Sequence, residues 1–328
     1  MTFTFPDQQR DAREQARRYA WRSIALISFS GIVLYVVTGS SQTMKTAWVT
    51  DVLSVLPSVA FLIASRYELR RPNERYPYGH FRAISICFLF TAIVLLGMGA
   101  WLLLEALLKL IHTERPAVGA IVVFGRSLWL GWAMIGALTL SMVVGIYCGR
   151  IKQPIAQTLH SKAIEAESAT NRNEWMSEGA GILGILLLGF GLWWADAAAA
   201  ALISVQIVRE GAQNLRQVIG DLMDEAPSQL GKHDLENLPR RVQEAAEQLP
   251  WVQAARVRLR EQGHVIAGDV FIVPRPNTDL VSATANALER LRSIDWRLHD
   301  LTMTPVATVD VEVPAADNRA ERYRRLAG

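Results

Sequence analysis

Cysteine is nearly absent. The 328 residues include only Cys87 and Cys148, both in or at the end of apolar stretches, too few for a disulfide framework or a thiolate zinc site. An excess of either charge is also missing. Lysine and arginine number 34 against 31 acids, a formal net charge of +3, which leaves no basic footprint for nucleic acid. Residues 1–22 are polar and charged, and no short apolar core with a small-residue cleavage site precedes the first long apolar run. A cleavable leader is therefore not expected. No phosphate-cradling glycine loop or nucleophile–base arrangement is evident, so an enzyme is not expected. The sharpest local absence is that no residue from Gly179 to Trp194 carries a charge.

What is present divides the chain in two. Residues 23–215 are mostly apolar, and 216–328 have the composition of a soluble domain. A helix crosses a bilayer with about 20 apolar residues. Six stretches qualify: 23–43, 47–66, 83–111, 121–148, 171–194 and 196–216. Arg10, Arg13, Arg17, Arg18 and Arg22 precede the first. Arg66, Arg70, Arg71, Arg75 and Arg82 follow the second, and Arg150, Lys152 and Lys162 follow the fourth. The other connections are poor in basic residues. The positive-inside rule then places both termini in the cytoplasm. Trp129, Trp132, Trp193 and Trp194 fit interfacial anchors.

The reading is therefore a multi-pass α-helical membrane protein followed by an α+β unit. Residues 1–22 form a cytoplasmic arm, 23–216 a six-helix domain, 217–313 a cytoplasmic domain and 314–328 a tail. In the third of these, Asp234–Gln248 reads as an amphipathic helix, and Ala254–Arg260 and Val265–Val273 as strands about a Gln262-Gly263 turn. Asp279–Arg292 is a second helix and Arg297–Val313 holds a third strand. That order, α-β-β-α-β, predicts a small ferredoxin-like sandwich.

Two acids stand out. Glu174 and Glu178 open the fifth apolar stretch at i and i+4, which puts them on one helix face. A carboxylate in or near a bilayer is costly and is usually functional, facing an aqueous path or a partner cation. Such a pair can bind a cation and a proton in competition. The bland alternative is a pair that only faces a wet vestibule. Asp51 in the second stretch is either a third ligand or a helix-entry acid. Asn171 and Asn173 read as helix-entry polar residues, and Glu105 as facing an interface or pairing with Lys109 at i+4. Asp196 reads as a cap and orientation signal, and His80 as a turn residue or a ligand.

Three motifs in order resemble the cation diffusion facilitator family of divalent metal/proton antiporters, which are usually homodimers. Arg70-Arg71-Pro72-Asn73-Glu74-Arg75-Tyr76-Pro77-Tyr78-Gly79-His80-Phe81-Arg82-Ala83 resembles the family's second connection. Ala195-Asp196-Ala197 is similar to the opening of its sixth span. Asp221-Leu222-Met223-Asp224-Glu225-Ala226-Pro227 resembles its join to the cytoplasmic domain. The likeness covers most of residues 20–313.

The resemblance implies a transport site between the second and fifth spans, each giving two ligands at i and i+4, usually His or Asp. Glu174 and Glu178 match the fifth-span pair. The second-span positions fall on Thr50 and Ser54 in one register, or on Ser54 and Ser58 after Asp51 in another. Hydroxyls thus stand where ligands are expected. The family's further metal sites are not matched: Asn73, Glu74 and Tyr76 replace ligands in the second connection, and Arg256, Val270 and Thr304 in the cytoplasmic domain. His233, His264 and His299 lie at other offsets. Arg82 and Asp224 match the family's inter-domain charge pair.

The function implied is divalent-cation efflux in exchange for protons by a homodimer in the cell (inner) membrane, with no cofactor and the metal as substrate. An oxygen-rich site suggests Mn, Fe or Mg over tightly held Zn. The missing second-span ligands leave open a transport-inactive or partner-dependent subunit, or a transporter of another cation.

Overall fold

The computed structural model describes residues 5–68, 70–113, 119–123, 126–230 and 235–309. Six long helices come first: α1 (Asp7–Val37), α2 (Gln42–Glu68), α3 (Ala83–Ile111), α4 (Leu130–Leu159), α5 (Lys162–Gly189) and α6 (Trp194–Leu222). A two-stranded hairpin, β1 (Ala120–Val123) with β2 (Arg126–Trp129), precedes α4. The first four helices are long and apolar enough to cross a membrane. Helices α5 and α6 are 28 and 29 residues long but carry more charge, because they hold Glu174, Glu178 and Glu210 among their apolar residues.

The helices pack in a ring in the order α1, α2, α3, α6, α5, α4, with α2 also reaching across to α5 and α6. Three apolar clusters hold the ring. Leu34, Met44, Met134, Leu138 and Ile185 join α1, α2, α4 and α5. Val49, Leu53, Leu102, Ile203 and Ile207 join α2, α3 and α6. Phe61, Ile155, Leu159 and Ile164 meet a stripe of α1 alanines. Where α3 crosses α6 the backbones nearly touch. A Cβ on Gly211 would stand 2.7 Å from the Leu96 amide nitrogen, the close approach that small residues allow between membrane helices. Outward-facing Phe29, Ile32, Phe90, Trp101 and Leu202 are exposed, as apolar side chains facing lipid would be.

Several boundaries differ from the sequence reading. Helix α4 runs on to Leu159 rather than ending near 148, and α5 starts at Lys162 rather than near 171, so Asn171 and Asn173 lie within the helix and not at its entry. The N-terminal arm is not separate, because Asp7 onward is already α1. Ala12, Ala16 and Ala20 recur every fourth residue and are buried, so the helix continues through its charged half. The fourth helix starts at Leu130 rather than near 121, because the β-branched run Ile121-Val122-Val123 forms a strand, a geometry such side chains favour.

By internal contacts the chain divides into two compact units, one running to Asp224 and also taking in Gln262–His264, the other made of most of the chain from Glu225 onward. The second unit contains α7 (Leu238–Glu247), β3 (Val252–Gln262), β4 (Val265–Pro274), α8 (Leu280–Arg292) and β5 (Leu298–Pro305). Its sheet order is β3-β4-β5, and β4 runs parallel to β5 from Ile266 opposite Leu298 to Ile272 opposite Pro305. A parallel pair needs a crossover, which α8 supplies. Leu238, Val242 and Ala246, four residues apart, bury one face of α7 against Val252, Val270, Ile272 and Leu291. Helix α7 is shorter than its apolar pattern suggested; residues 231–234, including His233, lie outside the described residues, as does the 314–328 tail.

One buried ion cluster belongs to this unit. Arg297 Nη2 donates to Glu236 Oε1 at 2.6 Å and to Asp295 Oδ2 at 2.9 Å. Burial by itself would lower the guanidinium pKa, but hydrogen bonds and charge from these two acids hold it above its ordinary value.

Candidate functional site

Glu174 and Glu178 occupy one face of α5, as their spacing predicts, and both are buried. The opposing stripe on α2 is Asp51, Ser54 and Ser58, spaced by three and four residues and also buried. Ser54 Oγ donates to Glu174 Oε1 at 3.3 Å. Asp51 accepts from Ser30 of α1 at 2.6 Å and from Ser141 of α4 at 2.8 Å. Ser141 also lies 3.2 Å from Glu178 Oε1. Four helices thus converge on three carboxylates, and Asp51 is an electrostatic neighbour of both glutamates.

Thr50 is not drawn in. Its hydroxyl donates back to the Thr46 carbonyl at 2.8 Å within α2, a bond a helical threonine commonly makes. The α2 stripe facing these acids therefore carries Asp51, Ser54 and Ser58, the residues of the second register, while Thr50 of the first register is left out.

Two features of this pocket bear on chemistry. Ser141 has one hydroxyl hydrogen for two carboxylates, so satisfying both contacts requires a proton on one of the acids. Glu178 Oε2 is buried without a hydrogen-bond partner, and a buried polar atom left unpaired marks a place where something else can bind. Among the described residues, no group of three His, Cys, Asp or Glu side chains is close enough to enclose one ion; the serine hydroxyls stand between the acids. Glu174 lies in a notch on α4, where a Cβ on Gly145 would fall 1.4 Å from its Oε2.

Four residues outside the sequence shortlist, Ser30, Ser141, Lys152 and Glu167, are prominent. Ser30 and Ser141 give no periodic signal, since single hydroxyls in apolar helices are common. Lys152, read as a connecting basic residue, is instead buried in α4 and donates to Glu167 of α5 at 2.6 Å and to Ser58 at 2.9 Å. Glu167 is seven residues before Glu174 and shares its face, which is the signal that could have found it. On α6, Gln206 accepts from Ser177 and donates to Glu210.

The other predicted residues are structural. Asp196 is a cap, but for α2 rather than for α6: it accepts from Ser41 Oγ at 2.5 Å and from the Gln42 and Thr43 amides at 2.6 and 3.2 Å. Glu105 pairs with Lys45 of α2 at 2.5 Å, not with Lys109. Arg82 pairs with Asp224 and donates to the Leu222 carbonyl at 3.1 Å. Both side chains are more than a third exposed, so the pair adds little stability. His80 packs on Tyr76, and Asn73 accepts from the Arg75 and Tyr76 amides in a tight turn. Asn171 is buried among the acids of α5 with both amide atoms unpartnered. Trp132 and Trp194 are exposed, and Trp129 and Trp193 half-buried.

Residues 20–223 match the cation efflux transmembrane domain family, more than half of the chain and all six long helices from the apolar part of α1 onward. The chain belongs to this family. The manganese efflux system protein MneS of Bacillus subtilis is 25% identical over 52% of the chain and 54% of its own length. MneP of the same organism, also a manganese efflux system protein, is 24% identical over 61% and 66%. The cation-efflux pump FieF of Shewanella oneidensis is 28% identical over 60% and 67%. The matched part of MneS is thus about half of that relative. Membership makes the chain a membrane protein of the cation efflux family, and it places α2 and α5, with the carboxylates described here, inside the matched domain.

Proposed function

We propose that this protein exports a divalent cation in exchange for protons, with Asp51, Glu174 and Glu178 as the groups that bind both. The observation that carries this reading is the buried, unpartnered Glu178 Oε2 in a pocket of three carboxylates and serine hydroxyls. Oxygen-only donors suit Mn²⁺, Fe²⁺ or Mg²⁺ better than tightly held Zn²⁺, and two relatives carry manganese efflux in their names. The single hydroxyl hydrogen shared by Asp51 and Glu178 supports a site in which a proton and a metal exclude one another.

In the fuller picture, α5 and α6 cross the inner membrane with the other four helices, and both termini are cytoplasmic. The second unit is a ferredoxin-like domain that holds a homodimer, with Arg82 and Asp224 at the hinge. The test is purified protein in proteoliposomes, with Mn²⁺ uptake followed under an imposed pH gradient. Wild type moves Mn²⁺ and counter-transports protons; Glu174→Gln and Glu178→Gln abolish both. If wild type moves no divalent cation, the reading fails and an inactive or partner-dependent subunit takes its place. If flux survives both substitutions, the site is elsewhere.

A further inference from the structure

The buried polar stripe does not end at the transport pocket. On α5 it runs Glu167, Asn171, Glu174, Glu178, spaced by four, three and four residues, and all four are at most 6% exposed. On α2 it runs Asp51, Ser54, Ser58. The two stripes are joined by rungs: Ser54 to Glu174, then Ser58 to Glu167. Asn171 lies between those rungs, 1% exposed, and neither its amide oxygen nor its nitrogen has a partner. The lower rung also holds a cation that is part of the chain. Lys152 of α4 donates to Glu167 Oε1 and to Ser58 Oγ, with side-chain exposures of 4% for the lysine and 5% for the glutamate.

A buried ion pair gains little over an apolar pair of the same size, because both charges lose their water. Stability alone is thus a weak reason for Lys152 and Glu167 to be there. Glu167, Ser58 and Asn171 offer one carboxylate, one hydroxyl and one free amide oxygen, a donor set for a hard divalent cation, and Lys152 presents its ammonium to the first two of them.

We propose that Glu167, Ser58 and Asn171 form a second divalent-cation station, between the transport pocket and the N-terminal end of α5, which Lys152 fills as a tethered cation until a metal displaces it. With the metal gone the ammonium returns, keeps the stripe neutral at that level, and repels a second cation. The station rests on the transport reading only for its place on a path from the cytoplasm; its binding chemistry stands on the cluster itself.

The test is Mn²⁺ binding by the purified full-length protein, read by the electron paramagnetic resonance signal of free Mn²⁺. In a Glu174→Gln/Glu178→Gln background the transport pocket is silent. Adding Lys152→Met there should tighten the residual Mn²⁺ binding at least tenfold, and adding Glu167→Gln as well should abolish the gain. No gain with Lys152→Met, or a gain that survives Glu167→Gln, overturns the station. Should Lys152→Met fail to fold, Asn171→Asp in the same background replaces it, supplying a second carboxylate against the ammonium; a comparable gain is expected, and its absence overturns the station equally. A wild type that binds no Mn²⁺ at Glu174 and Glu178 defeats the transport reading instead, and the gain or its absence in the Lys152 variant still decides the station.

Discussion

Two glycines one turn apart on α4 separate the site from the fold. Gly145 faces the end of a side chain: an added Cβ would meet Glu174 Oε2 at 1.4 Å and Cδ at 2.5 Å. Gly149 faces backbone: its Cβ would stand 2.7 Å from the Arg172 nitrogen and 2.8 Å from the Ser168 oxygen. In Gly145→Ala the carboxylate can rotate away, and the Glu174 Cβ, 3.1 Å from the added carbon, asks the two helices to give by only a few tenths of an ångström. The off-rotamer cost is about 0.5–1.5 kcal/mol, partly offset by a helix-propensity gain of about 1 kcal/mol. What is lost is the Ser54 bond to Glu174. A hydrogen bond to a charged group is worth about 1.5–3 kcal/mol, and the 3.3 Å length puts this one at the low end. At 1.4 kcal/mol per decade, that is roughly a tenfold loss in apparent metal affinity. In Gly149→Ala the helices themselves must part, an overpacking cost of about 1–3 kcal/mol or more. Mn²⁺ concentration dependence in proteoliposomes and thermal unfolding in detergent measure the two effects. Gly145→Ala is expected to shift the first more than the second, and Gly149→Ala to lower the unfolding temperature further than Gly145→Ala does. A Gly145→Ala protein with wild-type Mn²⁺ dependence would refute the placement of Glu174.

Other outcomes follow from single residues. Asp196→Ala strips the α2 N-terminus of its acceptor and leaves the Ser41, Gln42 and Thr43 donors buried and unpaired, at about 1–3 kcal/mol for each unsatisfied group; the yield of folded protein by size exclusion should collapse, and Asp196→Asn should recover part of it. Arg297→Met leaves Glu236 and Asp295 facing one another without their cation, a loss of about 3–5 kcal/mol visible as earlier melting of the second unit's sheet by circular dichroism. His299 of β5 has a pKa held below its ordinary value, first because burial disfavours the cation. The unfolded chain therefore takes up this proton before the folded one does. The contribution is complete above the ordinary histidine pKa of about 6.5 and is lost as pH falls from there through the lower value of the folded chain. A melting temperature that declines as steeply with acid in His299→Gln as in wild type would contradict this assignment.

Much of the architecture was legible because it depends on local sums. Long apolar runs and the spacing of Glu174 and Glu178 need only helical periodicity and the cost of charge in a bilayer to be read. The α-β-β-α-β order of the second unit follows from alternation and turn residues in the same way. Boundaries read less well where two local tendencies compete. Ile121-Val122-Val123 is as apolar as the start of a span but β-branched, and it pairs as a strand, and the charged start of α1 looks like an arm until its alanine stripe finds a surface to cover.

By itself, then, the amino-acid order determined which segments are helices, which faces are apolar, and that two acids share one side of the fifth. Partners were decided only by tertiary structure. Asp51 and Ser54 both belong to the pocket, Thr50 turns back on its own helix, Glu105 pairs with Lys45 across helices, and Lys152 is a buried counter-ion rather than a topological marker. The reason is physical. Periodicity says which residues share a helix face, whereas the partner of a buried charge is chosen by which faces pack together, and that depends on helix crossings set by contacts far apart in the chain.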